Sequence, residues 1–96
     1  MVKPISTRKN ENEVKGKEEL EPICQVVLFN DDINSMEYVV LCLMKVFGHP
    51  LQIAVKVMYE AHTLGKAIAE VEGEIAANRH KNQLMAYGLK AAVEAI

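Results

Sequence analysis

In parts of residues 21–96 apolar positions alternate with polar ones, as in a strand, and in other parts they recur every three or four residues, as in a helix. Residues 1–20 show neither pattern. Residues 23–29 form a short, apolar run rich in β-branched side chains, which is typical of a strand. Asn30, Asp31 and Asp32 follow, and these residue types favour turns. The pattern therefore predicts a strand that leads into a polar loop.

Apolar residues then recur at intervals of three and four, which predicts two consecutive helices. The first begins near Asn34, where Asn34 and Glu37 resemble a capping box, and ends at Gly48. Its apolar positions are Met36, Val39, Val40, Leu43, Met44 and Phe47. The second begins after Pro50 and ends at Gly65. One face of it carries Leu51, Ala54, Val55, Met58, Ala61 and His62. We expect the two helices to form a hairpin.

The last third of the chain predicts a strand, a helix and a strand. Residues 66–71 are compatible with a strand, and Gly73 supplies a turn. Residues 74–87 form a weaker amphipathic pattern before Gly88, and residues 89–96 alternate as a closing strand. The order β-α-α-β-α-β predicts an α+β fold, in which three helices pack on a three-stranded antiparallel sheet.

Residues 1–20 carry five basic and four acidic side chains without helical or strand period, so we expect a disordered N-terminal tail. Residues 21–96 form the core domain. With 96 residues, half of them hydrophobic, the chain supports one core. So small a domain favours a shallow surface pocket, and binding over catalysis.

Charge, cysteine content and hydropathy exclude several classes of protein. The net charge is −2 and the basic residues are scattered, which argues against a nucleic-acid partner. Cys24 and Cys42 lack the spacing of metal ligands, so we expect free, buried thiols in a reducing compartment, with neither metal nor cofactor. No apolar run approaches the about 18 residues of a membrane helix, and no secretory signal is evident. A cytoplasmic protein is the default expectation.

Two polar features could carry chemistry. Asn30, Asp31 and Asp32 are most simply a turn and a helix cap, and His62 is most simply packed in the core. Both become functional candidates if the helix hairpin brings His62 beside the loop. The loop lacks the late glutamate of a calcium-binding EF-hand. A nucleophile built from Cys42, His62 and Asp31 is the enzymatic alternative, although no oxyanion-hole pattern accompanies it.

Three segments together resemble the ClpS family: residues 26–32 (VVLFNDD), residues 34–40 (NSMEYVV) and residues 61–67 (AHTLGKA). The resemblance covers roughly residues 22–96. It implies the same α+β fold and a non-enzymatic adaptor, which binds proteins with destabilising N-terminal residues and delivers them to a Clp-type ATP-driven unfoldase, ClpA or ClpC. A monomer is the default. A recognition domain of a ubiquitin ligase, with related pocket chemistry, is the second interpretation.

The resemblance also implies residue roles. Asn30, Asp31 and His62 correspond to the residues that bind the substrate's free α-amino group. The matching side-chain pocket comprises Asn34, Met36, Val39, Met58, Ala61 and Leu89, with Met36 as a gatekeeper against β-branched residues. Glu74 and Arg79 are candidates for docking on the unfoldase, although the last helix is shorter than in many relatives. Ala61 is smaller than the family's branched residue, so we expect a roomier pocket that favours bulky aromatic residues over Leu.

Overall fold

The computed structural model describes residues 21–96; the predicted disordered tail, residues 1–20, lies outside the described residues. The elements are β1 (Ile23–Phe29), α1 (Met36–Phe47), α2 (Leu51–Leu64), β2 (Lys66–Gly73), α3 (Glu74–Ala86) and β3 (Ala91–Ala95). The three strands form one antiparallel sheet in the order β2-β1-β3. The predicted α+β fold with the order β-α-α-β-α-β is therefore confirmed.

The central strand β1 supplies one side of the core. Cys24, Val26 and Leu28 alternate along it and are at most 3% exposed, because every second residue of a strand points to the same face. The helices cover this face with buried apolar residues: Val39, Val40, Cys42, Leu43, Ala54, Val57, Ala61, Ala77 and Leu84. Burying a Leu or Val side chain is worth about 1.5–3 kcal/mol, so this shared core is what holds the helices on the sheet.

A β-bulge interrupts the pairing of β1 with β2. Val26 pairs with Glu70 and Val27 pairs with Ile68, so Ala69 between them has no opposite residue. His49, in the connection between α1 and α2, donates from Nε2 to the carbonyl oxygen of Ala69 at 2.8 Å. The bulge therefore provides an acceptor that ties the helix hairpin to the edge of the sheet.

The beginning of α1 differs from the predicted capping box. Ser35 is the N-cap: its Oγ accepts a hydrogen bond from the backbone N–H of Tyr38 at 3.1 Å. The prediction that Asn34 caps the helix is wrong, because the Asn34 side chain is used elsewhere. The glycine stops are where the sequence predicted them. Gly48 and Gly65 adopt left-handed φ angles of 71° and 94°, which end α1 and α2.

Backbone hydrogen bonds fix the loop after β1 between two other segments. Asn30 N–H donates to the carbonyl oxygen of Gly65, just after α2, at 2.9 Å. Phe29 N–H donates to the carbonyl oxygen of Lys90, just before β3, at 2.9 Å. The polar loop thus lies beside the last turn of α2. None of the helices described for residues 21–96 has the length and apolar character needed to cross a bilayer.

Candidate functional site

A small cavity lies where β1 ends, between the first turn of α1 and the last turns of α2. It is lined by Leu28, Phe29, Asn30, Asp31, Asn34, Met36, Val39, Met58, Ala61 and His62. The fold therefore brings together the residues assigned to the amino-group site and all but one of those assigned to the side-chain pocket. Leu89 is the exception: it is 4% exposed in the core and is not a lining residue.

Asn30 is held at the end of β1 by hydrogen bonds on both sides of its amide group. Its Oδ1 accepts from Asp31 N–H at 2.9 Å, and its Nδ2 donates to Asp32 Oδ1 at 3.3 Å. An amide oxygen has two lone pairs, so Oδ1 keeps one acceptor position. Asp32, in contrast to Asn30, is exposed and does not line the cavity.

Asp31 is the most constrained carboxylate of the site. Its Oδ1 accepts from the backbone N–H groups of Ile33 and Asn34 at 2.8 and 2.9 Å, and its Oδ2 accepts from Asn34 Nδ2 at 2.6 Å. A carboxylate has about four lone-pair positions, which leaves one on Oδ2. Asp31 can therefore bind one further donor without losing those it already has.

The same contacts keep Asp31 ionised. Partial burial acts to raise its pKa, but hydrogen bonds from the side chain and backbone of Asn34, the backbone of Ile33 and the positive charge of Lys90 outweigh it. The net pKa of Asp31 lies below its ordinary value of 3.8. The site thus presents a full negative charge at neutral pH.

Asn34 connects the loop to a distant part of the chain. Besides its bond to Asp31, its Nδ2 donates to the carbonyl oxygen of Gly88 at 3.2 Å. One helical turn later, the Tyr38 hydroxyl donates to the carbonyl oxygen of Tyr87 at 2.7 Å. Asn34, just before the α1 cap, and Tyr38, in the first turn of α1, therefore hold the connection between α3 and β3. Sequence analysis missed this role, and no local signal could have shown it, because Gly88 is 54 residues away.

His62 and the apolar residues complete the cavity. His62 is exposed on the last turn of α2, whereas Val39 and Ala61 are buried in its wall, 6% and 3% exposed. Met36 is 45% exposed at the rim. The cavity is half open to solvent, and its volume of about 20 Å³ is room for about one water molecule. Met36 and Met58 line it, and their flexible side chains can move to make room for a larger apolar group.

The cysteine alternative finds no support in this geometry. Cys42 is 4% exposed and does not line the cavity that contains Asp31 and His62. Burial raises the pKa of its thiol, although the nearby Tyr38 hydroxyl and the charge of Lys45 oppose the change. A buried thiol of raised pKa is a poor nucleophile. Within residues 21–96, no three His, Cys, Asp or Glu side chains are grouped to hold a metal ion.

Glu74 and Arg79 lie away from the cavity, on α3. Glu74 is the first residue of the helix, where the helix dipole stabilises a negative charge. Arg79 lies five positions further along the helix. Both side chains are exposed. They are therefore accessible to a partner, and their assignment to unfoldase docking stays a prediction.

Comparisons with known proteins identify the family of this chain. The model of a family described as "ATP-dependent Clp protease adaptor protein ClpS" matches residues 19–92. The chloroplastic ATP-dependent Clp protease adapter protein CLPS1 of Arabidopsis thaliana is 39% identical over 88 residues, which cover 91% of this chain and 55% of that protein. The ClpS adapter of Synechococcus elongatus is 37% identical over 83 residues, covering 85% of this chain and 87% of that protein. This chain thus spans little more than half of the plant relative.

A solved structure shares the fold. ClpS2 of Agrobacterium tumefaciens, solved bound to L-phenylalaninamide, superposes with a TM-score of 0.69 at 26% sequence identity. The match covers 79% of this chain and 99% of that one. The family model spans most of the chain, and the sequence relatives and the structural neighbour all carry the same family name. The chain therefore belongs to the ClpS family of Clp protease adaptors.

Proposed function

We propose that this protein is a non-enzymatic adaptor that binds the free α-amino group and the bulky apolar side chain of a destabilising N-terminal residue. It then delivers the bound protein to a Clp-type ATP-driven unfoldase. One observation carries the proposal: a single cavity combines the polar residues Asn30, Asp31 and His62 with an apolar wall. An N-terminal apolar residue presents both kinds of group on adjacent atoms.

The polar half of the cavity, formed by Asn30, Asp31 and His62, suits an α-ammonium group. This group has a positive charge and three N–H donors, and the free positions on Asn30 Oδ1 and Asp31 Oδ2 with a neutral His62 nitrogen supply three acceptors. Hydrogen bonds to charged groups are worth about 1.5–3 kcal/mol each before the cost of association. Internal residues of a protein have no such group, so the amine distinguishes position one from every other position.

The apolar half selects the side chain. Val39, Met58 and Ala61 offer it no charged partner, and burying a Leu or Phe side chain is worth about 1.5–3 kcal/mol. The ligand of the related ClpS2 structure, L-phenylalaninamide, has a free amino group and an aromatic side chain, and so offers both recognition elements. The two halves together support micromolar or tighter affinity.

Delivery requires a second surface. We assign the docking of the unfoldase, ClpA or ClpC, to the exposed face of α3 with Glu74 and Arg79, which leaves the cavity free to hold its ligand. The proposed adaptor acts as a monomer in the cytoplasm. It contributes no catalytic step, because unfolding and proteolysis belong to the partner.

The test is fluorescence anisotropy with a peptide that begins with Phe and carries its label at the C-terminus. The matched control is the N-acetylated peptide, which keeps the side chain and lacks the charge. A protein with Asp31→Ala provides the reciprocal control. We expect micromolar or tighter binding of the free peptide and loss of binding in both controls. Equal binding of the acetylated peptide would refute the amino-group site.

A further inference from the structure

A second concave surface lies beside the cavity, on the outside of the α1–α2 hairpin. We name it the hairpin groove; it is lined by Met36, Glu37, Val40 and Leu41 of α1 and by Leu51, Val55 and Met58 of α2. Its volume is about 460 Å³, far larger than the cavity. Leu41 is 63% and Leu51 57% exposed, so large apolar side chains face solvent here. Of the lining residues only Glu37 is charged.

The hairpin groove adjoins the cavity, because Met36 and Met58 line both. The hairpin groove also extends away from the cavity along α2. On α2, Val55 and Leu51 precede Met58 by three and seven residues and share its face. At about 1.5 Å per residue, the groove extends about 10 Å along the helix from the cavity rim.

This geometry fits the polypeptide that follows a bound N-terminal residue. Once the amino group and first side chain occupy the cavity, the rest of the chain must leave past the rim. An extended chain advances about 3.3 Å per residue, so three residues cover the groove. We propose that the hairpin groove binds apolar side chains at positions two to four of the delivered protein. The inference rests on the proposed function, and it makes the substrate a short apolar segment and not a single residue.

The experiment compares two C-terminally labelled peptides that share Phe at position one and differ only at positions two to four, Leu-Val-Leu against Ser-Thr-Ser. We expect the apolar peptide to bind about tenfold more tightly, the effect of partly burying two or three side chains. Leu51→Ser and Leu41→Ser should each reduce this difference severalfold and leave the affinity for the Ser-Thr-Ser peptide unchanged. Ile75→Ser is the matched control, because Ile75 is 66% exposed on α3, outside the groove.

The N-acetylated form of each peptide separates the two proposals. If both free peptides bind equally and both acetylated peptides fail, the groove proposal is overturned and the amino-group site stands. If the acetylated apolar peptide binds as well as the free one, or if nothing binds, both proposals fail. If Leu51→Ser leaves peptide binding intact but abolishes self-association in analytical ultracentrifugation, the groove belongs to a second copy of this chain, which also overturns the inference.

Discussion

Asn34 Nδ2 lies 2.6 Å from Asp31 Oδ2 and donates a hydrogen bond to it. Through this bond, a residue of the loop holds the carboxylate that we assign to the amino group of the substrate. The same amide also donates to Gly88, so the orientation of Asp31 depends on the connection that follows α3. Asn34 is therefore a positioning residue in the proposed site.

Asn34→Ala should raise the pKa of Asp31 toward its ordinary value of 3.8, because it removes one of the hydrogen bonds that favour the charged form. The measurement is an NMR titration of the Asp31 carboxyl carbon. Ser35→Ala is the control: it removes the α1 cap, at a cost of about 1 kcal/mol, without removing a hydrogen bond to Asp31. An unchanged pKa in Asn34→Ala, or an equal rise in Ser35→Ala, would contradict the role of Asn34.

Asp31 should make the stability of the domain sensitive to acid. Its pKa is lower in the folded than in the unfolded chain, so its stabilising contribution is complete above about pH 4 and is lost as pH falls through the folded pKa. The difference in unfolding free energy between wild type and Asp31→Asn should therefore shrink from about pH 7 to about pH 3. Urea unfolding across this range measures it. A constant difference would show that Asp31 has the same pKa in both states.

The two aspartates of the loop should differ in ligand binding. Asp31 lines the cavity and keeps one acceptor position, whereas Asp32 is exposed and contacts Asn30. We expect Asp31→Asn to weaken binding of a free Phe peptide about 10- to 100-fold, the loss of one charged hydrogen bond. Asp32→Asn should weaken it only a few fold. Calorimetry measures both, and the reverse order would reassign the carboxylate of the site to Asp32.

Ala61 should set the size of the side chain that fits. It is 3% exposed in the cavity wall, so two added methyl groups in Ala61→Val would occupy space that the ligand needs. Binding of Trp and Phe peptides should fall about tenfold, and binding of a Leu peptide should fall less. The Leu peptide thus serves as the control within the same variant. Equal losses for Leu, Phe and Trp would show that Ala61 does not discriminate among them.

The fold was predictable because its signals are local. The helical period of α1 and α2 and the glycines that end them, Gly48 and Gly65, lie within single segments. The approach of His62 to the loop was not predictable, because it depends on a tertiary hydrogen bond from Asn30 to Gly65. The role of Asn34 was misread for the same reason. Its sequence neighbours suggested a helix cap, but in the folded chain its amide donates to Asp31 and to the distant Gly88, and Ser35 takes the cap position.

The small volume of the cavity affects the affinity that a binding experiment measures. The cavity is half open and its volume is about 20 Å³, so under the proposed function a Phe side chain binds to molecules in which the flexible methionines that line the cavity have moved aside. The measured dissociation constant then equals the intrinsic one divided by the fraction of open molecules. Met36→Ala shortens a side chain that lines the cavity and would raise the fraction of open molecules. It should therefore tighten binding without adding a contact to the ligand. The affinity of this site then depends on the fraction of molecules in the open conformation as well as on the contacts that the ligand makes.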